Sequence, residues 1–148
     1  MINIDIINDY HSKITINDSQ IKFLYNKILK NHKIKNIELS LILSNRNYLN
    51  QLKIKYFNQN YYTDVIAFNL NNQDEDIIGE IYVSIDDIKQ NAKKFNVTFN
   101  DEFKRIIIHG LLHIIGYNDN TQNKKKLMTS LENKYMLLID DEIIELKC

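Results

Sequence analysis

His109 and His113 stand four residues apart in the segment 106–120, IIIHGLLHIIGYNDN. On an α-helix that spacing puts both imidazoles on one face, one turn apart, within reach of a single metal ion. Gly116 follows the helical run, and glycine readily takes the positive φ that ends a helix and turns the chain back. The return carries Asp119, ten residues after His109, the distance of the third ligand in zinc enzymes of the HExxHxxGxxH pattern. Two imidazoles and a carboxylate, with a fourth position left to water, make up a catalytic zinc site rather than a closed structural one. One zinc ion held by His109, His113 and Asp119 is the expected centre, and the same three are the expected catalytic residues. The alternative is a buried histidine pair before an ordinary glycine-capped turn, with Asp119 serving only as a cap for the next helix.

Such a site polarises a bond and activates water, so hydrolysis is the default chemistry. Proteases of the His-Glu-x-x-His type take their general base from the residue after the first histidine, and here that residue is Gly110. Phosphodiester cleavage can proceed on metal-activated water and charge stabilisation alone, which favours a nuclease over a protease.

The elements that must position these residues follow from periodicity. Ile106, Ile107, Ile108, Leu111, Leu112, Ile114 and Ile115 leave almost no polar face, which predicts a buried helix, opened by Asn100-Asp101-Glu102 with its acids at the positive end. Ile2, Ile4 and Ile6 alternate with polar residues as a strand, and Ile37, Leu39, Leu41 and Leu43 do so again. Between them Asn17-Asp18-Ser19 opens a helix of Ile21, Leu24, Tyr25, Ile28 and Leu29, with His32 in its exit expected to serve the surface. A short helix is predicted over 46–52, then an irregular aromatic loop over 53–61, either facing substrate or simply packed. Strands over 65–70 and 77–85 flank the polar run 71–76, read as an exposed turn, and Asp86-Asp87 opens a helix through Ala92 and Phe95. A last helix from Thr121 has Leu127, Leu131, Tyr135 and Leu138 as its apolar line, with Lys124-Lys125-Lys126 in its first turns as a phosphate contact or only its wet face. Met128 is expected in the core, beneath the ligands or simply packed. The order predicts one α/β (α+β) domain over 1–148, a mixed sheet of about four strands covered by about five helices, with the metal-bearing helix central.

At 148 residues the chain can bury one core unaided. With 19 basic and 19 acidic residues, composition alone draws it to neither nucleic acid nor membrane. The single cysteine, Cys148, and the lack of a signal sequence or apolar span are those expected of a cytoplasmic protein without membrane contact.

The motif HGLLHIIGYND resembles the His-Gly-x-Leu-His-x-x-Gly-Tyr-Asp-His signature of the YbeY family of bacterial metal-dependent endoribonucleases. Two blocks upstream extend the likeness: Thr63-Asp64-Val65-Ile66-Ala67-Phe68 is similar to that family's Thr-Asp-Val-Leu-Ser-Phe, and Gly79-Glu80-Ile81-Tyr82-Val83-Ser84 to its Gly-Asp-Ile-x-Ile-Ser strand, with Asn91-Ala92 in the helix that follows. The similarity runs from about Leu39 to Glu132. It implies a single-strand-specific endoribonuclease that matures the 3' end of small-subunit ribosomal RNA and serves ribosome quality control. The implied partners are single-stranded or ribosomal RNA and the small ribosomal subunit with its proteins, not DNA. Two positions depart from the pattern. Asp119 stands where the family has its third histidine, a harder and more anionic ligand. Phe57 falls where the family has a functional arginine, so Arg46, Lys53 or Lys55 must supply the phosphate contact, with Lys124 a further candidate, or else the metal handles the charge. Phe57 also leaves open an inactive RNA- or ribosome-binding module with a structural metal.

Overall fold

The computed structural model describes residues 1–10, 13–71 and 76–146. Most of the polar turn expected over 71–76, and Cys148, lie outside the described residues. Strands β1 (Ile2–Asn8), β3 (Ile37–Ser44), β5 (Ile77–Ser84) and β4 (Val65–Asn69) form one sheet in the order β1-β3-β5-β4. The first three are parallel and β4 closes the edge antiparallel to β5, so the sheet is mixed and four-stranded as the sequence predicts. A ribbon not anticipated from the sequence pairs β2 (Ile14–Ile16) with β6 (Ile144–Leu146). Three-residue strands carry too little alternation to be legible.

Side chains alternate across a strand, and here the alternation separates two environments. Leu39, Leu41, Ile81 and Val83 face a core shared with the helices α1 (Asp18–Asn31) and α4 (Phe99–Ile114), where all four are buried. The Tyr25 hydroxyl of α1 donates to the Ile107 carbonyl of α4 at 2.7 Å, tying the two helices on that face. Gly110 brings α4 onto the sheet: a Cβ there would lie 2.7 Å from Ile81 Cγ2. The opposite face is covered in part by α2 (Arg46–Phe57), whose Tyr48 meets Tyr82 and whose Phe57 stacks on Phe68.

Helix α2 is longer than expected. It runs through Lys53, Lys55 and Phe57 to a left-handed Asn58, because no proline or glycine interrupts a run of good helix formers. Lys53 and Lys55 are thus helical, not parts of a loop. Helix α3 (Ile85–Lys94) begins at Ser84, whose hydroxyl accepts from the Asp87 amide. Helix α5 (Gln122–Met136) starts at a Thr121 cap, as expected, but buries Met128, Glu132 and Tyr135. Leu131 packs against the core and Tyr135 is buried as predicted, but Leu127 and Leu138 are exposed, 50% and 41%. The reason lies in Glu132, which turns inward to partners on α4. Met128 is simply core. His32 also departs from expectation: it is half-buried, its Nε2 2.7 Å from the Tyr135 hydroxyl.

Candidate metal centre

Helix α4 is fixed at both ends by its own sequence. Thr98 caps it by accepting from the Asp101 amide, and Asp101 and Glu102 occupy the first turn. At the other end Gly116 has φ +114°, its N–H donates to His113 O (3.1 Å), and Tyr117 N–H donates to Leu112 O (2.9 Å). These two bonds make a Schellman cap, which needs the left-handed residue that glycine supplies. The chain leaves α4 reversed, as the sequence predicts.

That reversal brings His109, His113 and Asp119 together, one ligand atom from each lying within 4.8 Å of the others. The two Nε2 atoms face each other at 3.0 Å. Two nitrogens on one tetrahedral zinc at ~2.05 Å stand about 3.3 Å apart, so the pair is already near the separation that a shared ion requires. The donor set, two imidazoles and a carboxylate on a half-buried surface, fits a divalent ion with room for water.

The far nitrogen of His109 is also engaged. Nδ1 lies 2.6 Å from Glu132 Oε2, and the other oxygen of Glu132 accepts from Arg105 Nη1 at 3.1 Å. Arg105 Nη2 in turn donates to Asn133 Oδ1 at 2.8 Å. With its proton held at Nδ1 by the carboxylate, His109 keeps the Nε2 lone pair for a metal, the arrangement in which an outer carboxylate fixes tautomer and ring orientation. Burial pushes the His109 pKa down, but the Glu132 hydrogen bond and charge outweigh it and the net shift is upward. His113 is lowered, by burial first and then by the neighbouring imidazole.

A second acidic group lies beside the histidines. Asp64, just before β4, accepts from Asn91 Nδ2 at 3.1 Å, and burial raises its pKa. Glu102, two turns before His109 on α4, is pushed up to about 7, by burial and then by the Asp64 charge. Glu132, Arg105, Asp64 and Glu102 are absent from the sequence-based site. A signal for part of this existed: Glu102, Arg105, His109 and His113 fall at i, i+3, i+7 and i+11, a polar line along an otherwise apolar helix. Glu132 is a polar residue within the buried line of α5.

The four cations expected to hold substrate are each engaged locally or exposed. Arg46 begins α2, where its Nη2 pairs with Asp87 Oδ1 at 3.3 Å and its guanidinium lies 3.7 Å over the Tyr62 ring. Lys53 sits over Phe57 and Tyr61, and Lys55 over Tyr56. Lys124 is exposed in the first turn of α5. Phe57 itself packs on Phe68. Gly110 supplies no base of the protease kind, and a Cβ at that position would run into Ile81 of the sheet.

Comparison with known proteins agrees with this geometry. The family model described as Endoribonuclease YbeY matches residues 6–140. Endoribonuclease YbeY of Karelsulcia muelleri is 42% identical over 107 residues, covering 72% of this chain and 75% of that protein. The Cytophaga hutchinsonii protein of the same name is 36% identical over 120 residues, 81% of this chain and 84% of its own. The solution structure of TM1509 from Thermotoga maritima superposes with a TM-score of 0.61 at 28% identity, covering 90% of this chain and 86% of that one. A matching family model over nearly the whole chain, relatives above 30% identity and a histidine pair on a glycine-terminated helix lead to one conclusion: the chain belongs to the YbeY endoribonuclease family.

Proposed function

We propose that residues 1–148 form one domain acting as a zinc-dependent, single-strand-specific endoribonuclease. It matures the 3' end of small-subunit ribosomal RNA and contributes to ribosome quality control, working in the cytoplasm on the small subunit and its proteins. Family membership supports hydrolysis of RNA phosphodiester bonds. The observation that carries the site is the pair of Nε2 atoms facing each other at 3.0 Å with Asp119 beside them. His109, His113 and Asp119 would hold the ion. When bound, the ion supplies Lewis acidity toward a phosphoryl oxygen and lowers the pKa of water. The chain's own residues do the rest. Glu132 orients His109, the Gly116 turn presents Asp119, and the half-buried Asp64, whose charge acts on His109, is the carboxyl best placed to hold or accept a proton there. Among the described residues no helix is long and apolar enough to cross a membrane. Labelled single-stranded RNA incubated with the purified protein, with and without chelator and beside His113→Ala, tests this. Cleavage that needs both metal and His113 is expected, and cleavage indifferent to either would refute it. Binding without cleavage in every arm would favour the inactive module to which Phe57 points.

A further inference from the structure

Residues 39–63 contain no aspartate or glutamate, although 19 acids are spread over the rest of the chain. The same stretch carries Arg46, Lys53 and Lys55 and five aromatic residues, Tyr48, Tyr56, Phe57, Tyr61 and Tyr62. In the structure these are interleaved rather than buried. Tyr56, Tyr61 and Tyr62 are 58%, 51% and 50% exposed, so their rings are open to a partner. Lys53 Nζ stands 4.7 Å from the Phe57 ring centre and 5.1 Å from that of Tyr61, and Arg46 covers one face of Tyr62.

We infer that the tyrosines at the end of α2 and in the segment that follows form a stacking platform for the unpaired bases of single-stranded RNA, with Lys53 and Lys55 facing its phosphates and Arg46, paired with Asp87, bracing one face of Tyr62. The inference rests on the nuclease reading above and specifies how that site takes its substrate. Sequence-tolerant single-strand binding combines cations along the backbone with rings on which bases stack, and this surface offers both. Paired bases hide their faces, so such a platform selects against duplex.

Charge sets its limits. Beyond Phe68 and Tyr82 the open sheet face turns acidic, Asp5, Ser40, Glu80 and Phe68 lying in register across the four strands, with Glu38 alongside. A phosphate chain is repelled there. In the other direction Tyr62 and Thr63 lead into Asp64 and β4, whose Val65 side chain lies 3.4 Å from where a Gly110 Cβ would be, next to His109 on α4. The platform therefore leads along the chain into the strand that packs on the metal helix.

The test separates binding from cleavage. Metal-free protein in chelator is titrated with a fluorescein-labelled oligoadenylate of about 12 nucleotides and, separately, with a duplex of equal length. Each lost stack weakens binding by about fivefold or more, so Tyr61→Ala/Tyr62→Ala raises the single-strand Kd by at least about 25-fold and leaves the duplex Kd unchanged. Tyr61→Phe/Tyr62→Phe stays within about threefold of wild type, because the ring is retained. Lys53→Ala/Lys55→Ala flattens the dependence of log Kd on log salt by up to about 1.4, roughly 0.7 for each phosphate contact on a single strand. An alanine variant that binds single strands as wild type does overturns the platform, and the nuclease reading survives if metal-loaded wild type still cuts. Should the metal-loaded protein cut nothing while tyrosine-dependent binding persists, the nuclease reading falls and the platform stands. Equal losses on single strand and duplex would also overturn it.

Discussion

Two histidine clusters lie against the same helix and differ in everything that matters for a metal. His109 meets Glu132, and His32 meets Tyr135, three residues further along the same buried line of α5. The His32 Nε2 lies 2.7 Å from the Tyr135 hydroxyl and its Nδ1 3.4 Å from that of Tyr117. Asn31 donates to the Tyr135 hydroxyl at 2.7 Å, so that hydroxyl gives its own proton to His32. Both ring nitrogens are then used, and burial with the Lys134 charge pushes the His32 pKa down. Burial acts on His109 in the same sense, yet the Glu132 contact and the charges of Asp119 and Asp64 reverse it. Partner chemistry, not depth, separates the histidine prepared for a cation from the one that serves as a hydrogen-bonded strut. The strut still bears on the metal site from a distance, because it holds Tyr117, directly after Gly116, at the base of the turn that delivers Asp119.

The sharpest break between the clusters is their response to alanine. His113→Ala should weaken zinc binding by more than about a hundredfold in competition with a calibrated chelator, since only two ligands remain. His32→Ala should stay within about threefold and instead lower stability by roughly 1–2 kcal/mol through its lost hydrogen bonds. A comparable loss of zinc from both would erase the distinction.

Asp119 tests whether the third ligand is a true one. We expect Asp119→Ala to lose about ten- to a hundredfold in zinc affinity and Asp119→Asn to behave alike, while Asp119→His retains both zinc and cleavage. A helix cap would reverse that order, with asparagine as good as aspartate. Isothermal titration of the three variants gives the ranking.

Glu132 sharpens the comparison from the far side. Glu132→Ala removes the acceptor for His109 Nδ1–H and should cost about ten- to a hundredfold in zinc affinity, the usual range for an outer carboxylate. Glu132→Gln keeps a carbonyl acceptor and should recover most of it. Nitrogen chemical shifts of His109 should show the proton leaving Nδ1 in the alanine variant, and an unchanged tautomer would count against this role.

The smallest effect concerns stability and pH. Glu102 shares the polar line of α4 with His109 but is pushed up to about 7, so the folded state binds its proton more tightly than the unfolded chain does. Its contribution to stability is therefore full below the ordinary glutamate range, near ~4.3, and is lost as pH rises toward 7. Glu102→Gln in chelator should flatten that decline and leave the variant more stable than wild type at pH 8, by at most about 4 kcal/mol. Urea denaturation at pH 5 and pH 8 reads the difference, and parallel pH profiles for the two proteins would contradict it.

Much of this was legible in the residues alone because it is local. The four strands of the main sheet, the buried helix around His109, the Gly116 turn and the approach of Asp119 all follow from periodicity, capping and the fixed rise of a helix, which need no distant partner. Other features depend on residues far apart in sequence that meet only on folding. Glu132 reaches His109 from 23 positions away, and its inward turn puts a carboxylate among the buried positions of α5, where leucine spacing suggests none. His32 becomes half-buried only because Tyr117 and Tyr135 close around it, 85 and 103 positions later. Sequence spacing determined which atoms could share an ion. Tertiary packing decided which nitrogen was left free to hold it, because the tautomer of an imidazole is set by whatever stands opposite its other nitrogen.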